Sequence, residues 1–150
     1  MKSNYVIAIP SHKRSTVIRS KVLKFLEGHS INKKLIYIFV APEEYYNYKD
    51  ELPDYNIVKG ALGIGKNRES ISNYFVDNQF IVSLDDDVTN LYDKGTSLID
   101  LNLFITQTFH LLEENNLTLA GVYPSRNPFF AKNTITTDLR FIIGQFKCFI

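Results

Sequence analysis

The stretch that most constrains this chain is Phe80 to Val88, an apolar run of strand length that stops abruptly in three adjacent carboxylates, Asp85, Asp86 and Asp87. Neighbouring carboxylates repel one another, so a chain that places them at the end of a buried strand must neutralise them with a cation or with basic groups. A divalent metal is the simplest neutraliser. Oxygen ligands suit Mg²⁺ or Mn²⁺, and Mg²⁺ is typically held by one or two protein carboxylates together with substrate phosphates. The triplet therefore predicts a phosphate-bearing substrate. The bland alternative is a solvated turn in which acidic residues merely end a strand.

The segments before the triplet alternate between strand and helix. Tyr5 to Pro10 predicts a short buried strand that Pro10 ends, because proline cannot donate to a central ladder. Val17, Ile18, Val22, Phe25 and Leu26 recur at helical spacing from about Arg14 to Glu27, with Gly28 as the stop. Leu35 to Val40 is continuously apolar, the signature of a parallel strand covered on both faces. Pro42 opens a helix that carries Glu43, Glu44 and a tyrosine cluster and ends before Pro53, and Asn56 to Lys59 is a short third strand. Gly60, Gly63 and Gly65 form a flexible loop into a helix from Asn67 to Phe75. This order predicts a three-layer α/β domain with a mostly parallel central sheet, whose ligands bind beyond the carboxyl ends of the strands. The loops Pro10 to Arg14, Ala41 to Glu44 and Asp85 to Val88 converge there, and Gly60 to Arg68 reaches the same crevice.

Beyond the triplet, Leu98 to Glu114 reads as an amphipathic helix through Leu101, Phe104, Ile105, Thr108 and Leu112, followed by a strand at Leu119 to Val122. Tyr123 to Phe130 reads as a loop with exposed aromatics, and Leu139 to Ile150 alternates as a strand or hairpin would. The 150 residues form one domain's length, without repeat or linker. They stop inside an apolar segment, Phe146 to Ile150, which suggests a domain truncated on its C-terminal side.

Composition narrows the function classes. Lys and Arg number 17 against 16 Asp and Glu, so there is no long-range electrostatic grip on nucleic acid or anionic membrane, although a local basic patch is compatible with this balance. The single cysteine, Cys148, excludes an internal disulfide and a multi-cysteine zinc site and fits a reducing compartment, with cytoplasm as the default. No apolar stretch approaches the roughly 20 residues that a membrane helix requires. Abundant Ile, Asn, Lys, Tyr and Phe suggest an AT-rich genome, such as that of some viruses or parasites. His12, His29 and His110 lack metal spacing. His110, beside apolar residues on its helix, reads as a half-buried structural group, and His12 alone is near the predicted site.

Three motif readings compete for the acidic centre. Gly60, Gly63, Gly65 and Lys66 have the spacing of a phosphate-cradling P-loop with Asp85-Asp86 as its magnesium aspartates, but Asn67 stands where that motif needs a Ser or Thr hydroxyl. Asp85, Asp87 and Thr89 resemble the nucleophile motif of haloacid-dehalogenase-type phosphotransferases. That match is local, since such enzymes carry the motif on their first strand and need a later lysine and a second acidic pair.

The third reading covers nearly the whole chain. Ile9, Pro10, Ser11 and Arg14, then Phe39 to Ala41, the Gly63 to Arg68 loop and Asp85-Asp86-Asp87 as an Asp-x-Asp motif together resemble nucleotide-sugar glycosyltransferases of the GT-A type. The succession is similar to glycosyltransferases found beside DNA-base-oxidising enzymes in phages and other genomes, with Phe129-Phe130 and Leu139 to Gly144 resembling their later segments. The resemblance implies a nucleoside-diphosphate sugar as donor, with a UDP-sugar as the expectation, and Mn²⁺ or Mg²⁺ as cofactor. It implies Pro10, Ser11 and Arg14 around the nucleotide, Gly63 and Arg68 near the diphosphate or sugar, Asp85 and Asp86 on the donor, and Asp85 and Asp87 on the metal. The acceptor it leaves open is a modified DNA base or a glycan or protein, of a virion for example. Inverting transfer needs a base, and after Asp93 the carboxylates are Asp100, Glu113, Glu114 and Asp138. Three lie on the helix, so Asp138 is the one plausible base within the chain. The expectation is that Asp138 instead orders its loop and that the base lies beyond Ile150. A nucleotidyltransferase on the same sheet, or a non-catalytic module that binds a nucleotide or a partner, are the alternatives.

Overall fold

The computed structural model describes residues 4–123, 134–138, 142 and 144–150. Its centre is a six-stranded sheet of β1 (Tyr5–Pro10), β2 (Ile36–Val40), β3 (Asn56–Lys59), β4 (Phe80–Leu84), β7 (Leu119–Gly121) and β8 (Phe146–Phe149), in the order β3-β2-β1-β4-β8-β7. β3, β2, β1 and β4 are mutually parallel, and β8 enters antiparallel between β4 and β7. The chain is thus α/β with a mostly parallel sheet, as its alternation of apolar runs and helical periods predicts.

The strands alternate cleanly between two cores. Tyr5, Ile7 and Ile9 of β1, Ile36, Ile38 and Val40 of β2 and Val82 and Leu84 of β4 face one core. Ala8, Phe39, Val58 and Ile81 face the other. Apolar residues on both faces must be covered on both, at roughly 1.5–3 kcal/mol per fully buried large side chain. The first face is covered by α1, three helical segments run end to end: Ser15–Ile18, a π-helical turn Arg19–Leu23, and Lys24–Gly28. With α1 lie α2 (Tyr45–Glu51) and α4 (Leu101–Glu114), which contributes Leu101, Ile105, Phe109 and Leu112. Phe80 and Phe109 stack at 4.6 Å. The second face is covered by α3 (Ile64–Tyr74) through Ile71.

Several boundaries differ from those predicted, each for a local reason. The helix after Pro42 opens as a 3-10 turn, Pro42–Glu44, before α2 begins. Gly28 lies inside α1, and the left-handed residue that turns the chain is Ser30, at φ 56°. α3 starts at Ile64, so Gly65 sits in its first turn and the flexible glycine is Gly63, at φ 92°. α4 starts at Leu101 because the Asp100 carboxylate caps it, accepting from the amide of Leu103 at 2.9 Å. His110 is 64% exposed rather than half-buried and pairs with Glu114 at 3.2 Å, one turn on along the solvent face. A two-stranded ribbon, β5 (Tyr92–Asp93) with β6 (Thr96–Ser97), was unanticipated. Its turn residues Lys94 and Gly95 both have positive φ, the hairpin conformation that a Lys-Gly pair signals weakly. The exposed-aromatic loop from Tyr123 to Phe130 falls outside the described residues except for Tyr123, which is exposed. Of Leu139 to Ile150, Phe146–Phe149 is a strand.

Candidate functional site

The strand order reverses direction between β1 and β4, and a parallel sheet opens a crevice at such a point, beyond the carboxyl ends of its strands. A cleft of about 400 Å³ lies there. Pro10, Ser11, Arg14, Gly63, Arg68, Asp85, Asp86 and Asp87 all line it, so the site residues expected from sequence come together with one exception. Asp138 is exposed and is not among the described residues that line the cleft. Its own amide donates to Thr136 Oγ1 at 3.1 Å, a contact within its loop.

The period of the strand carries through the triplet. Successive residues of an extended chain face opposite sides of a sheet, and the amide of Asp85 still reaches the ladder, donating to the Gln145 carbonyl at 3.0 Å. Asp85 therefore turns toward the α3 side, where Arg68 Nη2 meets its Oδ1 at 2.9 Å. Asp86 turns toward the α1 side. Its Oδ1 accepts from Arg14 Nη1 at 2.8 Å and its Oδ2 from Ser11 Oγ at 2.8 Å. Asp87 lies more open, 3.9 Å from Arg14 Nη1 and about a third exposed. The repulsion inherent in three adjacent carboxylates is thus relieved by two guanidiniums from two helix starts, approaching from opposite faces of the sheet.

Asp86 is the buried member, and desolvation raises its carboxyl above the usual range even though Ser11 and Arg14 pull it down. Because the Ser11 hydroxyl donates to Asp86, the Tyr48 hydroxyl 2.9 Å away donates to Ser11 Oγ. That same phenolic oxygen accepts the Arg14 amide at 2.9 Å. Tyr48 is fully buried, and burial pushes its phenol up. One turn before it, Glu44 accepts from His12 Nδ1 at 2.7 Å and from the Lys13 amide at 2.6 Å. Glu44 and Tyr48 together clamp the Pro10 to Arg14 loop and hold Lys13 in a left-handed conformation, φ 52°, that costs about 1 kcal/mol or more when unsupported. The twist between His12 and Arg14 leaves His12 at the rim, half exposed, and Arg14 on the triplet.

Asn67 holds the opposite wall. It is buried, its Nδ2 donates to the Phe39 carbonyl at 2.9 Å and its Oδ1 accepts from the Ala61 amide at 3.3 Å. A Cβ at Gly60 would fall 1.9 Å from Asn67 Oδ1, so this approach requires glycine. The Asn67 side chain is spent on backbone, which leaves the P-loop reading without its hydroxyl ligand. Glu44, Tyr48 and Gln145 escaped the sequence reading as site residues. Glu44 and Tyr48 act through one helix face at a spacing of four residues, a signal the tyrosine cluster obscures.

Among the described residues no group of three or more His, Cys, Asp or Glu side chains converges as a metal cage. A Mg²⁺ or Mn²⁺ ion shared with substrate phosphates needs only one or two protein carboxylates, and Asp85 and Asp87 both line the cleft. Among the described residues no helix is long and apolar enough to cross a membrane. No protein-family model matches the chain, and no curated protein matches it.

Proposed function

We propose that the cleft binds a nucleoside-diphosphate sugar, with a UDP-sugar as the donor and a divalent cation at Asp85 and Asp87, and that the chain is a glycosyltransferase domain of the GT-A type. The observation that carries this reading is the meeting of three carboxylates and two guanidiniums at the switch point of a parallel sheet, in a cleft of ligand size. Breaking a bond between sugar and phosphate builds negative charge on the departing diphosphate. Arg14 and Arg68, planar donors on fixed helix starts, are placed to receive that charge as they exchange carboxylate for phosphate oxygen. A bound divalent ion would supply further charge stabilisation at the same oxygens. Pro10, Ser11 and Gly63 shape the walls against which the nucleotide lies. Asp86, held by Ser11 and Arg14, positions Arg14 from the inner side.

The acceptor is a hydroxyl of a modified DNA base or of a glycan or protein. Release of sugar from UDP-sugars in the presence of Mn²⁺ tests the donor half, and incubation of labelled donor with hydroxymethylcytosine DNA and with glycans tests the acceptor half. Nucleotidyl transfer without sugar release would instead favour a nucleotidyltransferase on the same fold. Metal-dependent UDP binding with neither reaction would favour a non-catalytic nucleotide-binding module. Absence of any nucleotide binding overturns the reading.

A further inference from the structure

The Arg68 to Asp85 ion pair lines a second, smaller recess of about 100 Å³ as well as the cleft. Three elements build the recess on the α3 side of the sheet. Arg68 and Ser72 are four residues apart on α3 and share a face. Ser83 and Asp85 are two apart along β4 and share a side of the strand. Lys147 is the direct antiparallel partner of Ser83 in β8, so its side chain stands beside that of Ser83. Phe149 closes the apolar end.

The charges here do not cancel. Asp85 is taken by Arg68 at 2.9 Å, and Lys147 has no carboxylate partner among the described residues although it is partly buried. The hydroxyls of Ser72 and Ser83 likewise have no hydrogen-bond partner among the described residues. Lys147 thus lines the recess with the Ser83 hydroxyl and the exposed Ser72 hydroxyl, three donors that have no hydrogen-bond partner among the described residues. The space equals about three waters at roughly 30 Å³ each, room for a carboxylate or a phosphate group.

We propose that this recess is a second oxyanion subsite, separate from the nucleotide cleft and joined to it through Arg68 and Asp85, with Lys147 as its charged anchor and Ser72 and Ser83 as neutral donors. The oxyanion is either a free phosphate or an acidic group of a ligand whose nucleotide lies in the cleft, and that second source rests on the function proposed above.

Inorganic phosphate titrated into the protein and followed by amide chemical shifts tests the subsite without reference to any reaction. Shifts are expected at Ser72, Ser83 and Lys147, in the presence of saturating UDP as well as in its absence. Lys147→Gln should weaken phosphate binding about tenfold or more, Lys147→Arg should retain it, and Lys66→Gln, on the exposed side of α3, should leave it unchanged. Equal phosphate affinity in the Gln and Arg variants, or complete displacement of phosphate by UDP, overturns the proposal. The source is decided by comparing a UDP-sugar that carries a carboxylate with UDP-glucose. Tighter binding of the acidic donor, abolished in Lys147→Gln, assigns the oxyanion to the cleft ligand, and equal binding of both assigns the recess to free phosphate. Failure of UDP to bind at all would count against the nucleotide cleft alone, since phosphate is read independently.

Discussion

The guanidinium of Arg14 and the carboxylate of Asp86 meet at 2.8 Å, the acid almost wholly buried and the base half in solvent. A solvated cation compensates a buried anion only partly, so the Asp86 carboxyl stays above its ordinary range. A raised folded-state pKa means that the native protein holds this proton more tightly than the unfolded chain does. Its stabilising contribution is full below the unfolded value and is lost as pH rises through the folded value. Asp86→Asn should therefore be more stable than the parent at pH 7, and equal to it at acid pH where Asp86 is protonated in both states. Thermal unfolding at pH 2.5 and pH 7 measures this. A variant less stable at pH 7 would mean that the Arg14 and Ser11 contacts outweigh the cost of burial.

Asp87→Asn should leave the fold intact and weaken Mn²⁺-dependent UDP binding at least tenfold, since Asp87 is the carboxylate of the triplet with the least other work. Calorimetric titration of UDP with and without Mn²⁺ reads it. Affinity unchanged in the variant removes the ion from Asp87.

Arg68→Ala should reduce UDP affinity about tenfold, the worth of one hydrogen bond to a charged group, while Lys66→Ala should have little effect. Both residues sit in the first turns of α3, but only Arg68 lines the cleft. A larger loss from Lys66→Ala together with strong selectivity for ATP over UDP would restore the P-loop reading.

Much of this architecture was legible in the sequence because a parallel sheet states itself in continuous apolar runs. Tyr5 to Pro10, Leu35 to Val40 and Phe80 to Leu84 each give a strand within a residue or so, and loops at strand ends were enough to gather Pro10, Ser11, Arg14, Gly63, Arg68 and the triplet around one cleft. What pairs with what was not legible. The sequence assigns Arg14 and Arg68 to a ligand but not to the two different aspartates on which they close, because which side of the sheet Asp85 and Asp86 face depends on the ladder continuing to Gln145. The antiparallel entry of β8 is likewise a long-range pairing that no local pattern encodes. His110 misled because its apolar neighbours in sequence are not its neighbours on the helix face.

Gly60→Ala should destabilise the protein by about 2 kcal/mol and weaken UDP binding, because its new methyl group would collide with Asn67 Oδ1. The double variant Gly60→Ala with Asn67→Ala should cost less than the sum of the two single changes, a coupling that chemical denaturation can read from the four proteins. Additive losses would show that Gly60 is needed for its own backbone and not for Asn67.

The Phe39 carbonyl accepts from two directions, from the Ser11 amide at 2.9 Å and from Asn67 Nδ2 at 2.9 Å. Two walls of the cleft are thus pinned to one oxygen atom at the end of β2, so the gap between them is a dimension of the sheet and not of the loops. Neither wall can swing without breaking a bond at that pin. A ligand of the proposed kind would meet a mouth of preset width, and whatever adjustment it demanded would fall to the third wall, where Asp87 and the arginine side chains can exchange partners without moving the backbone.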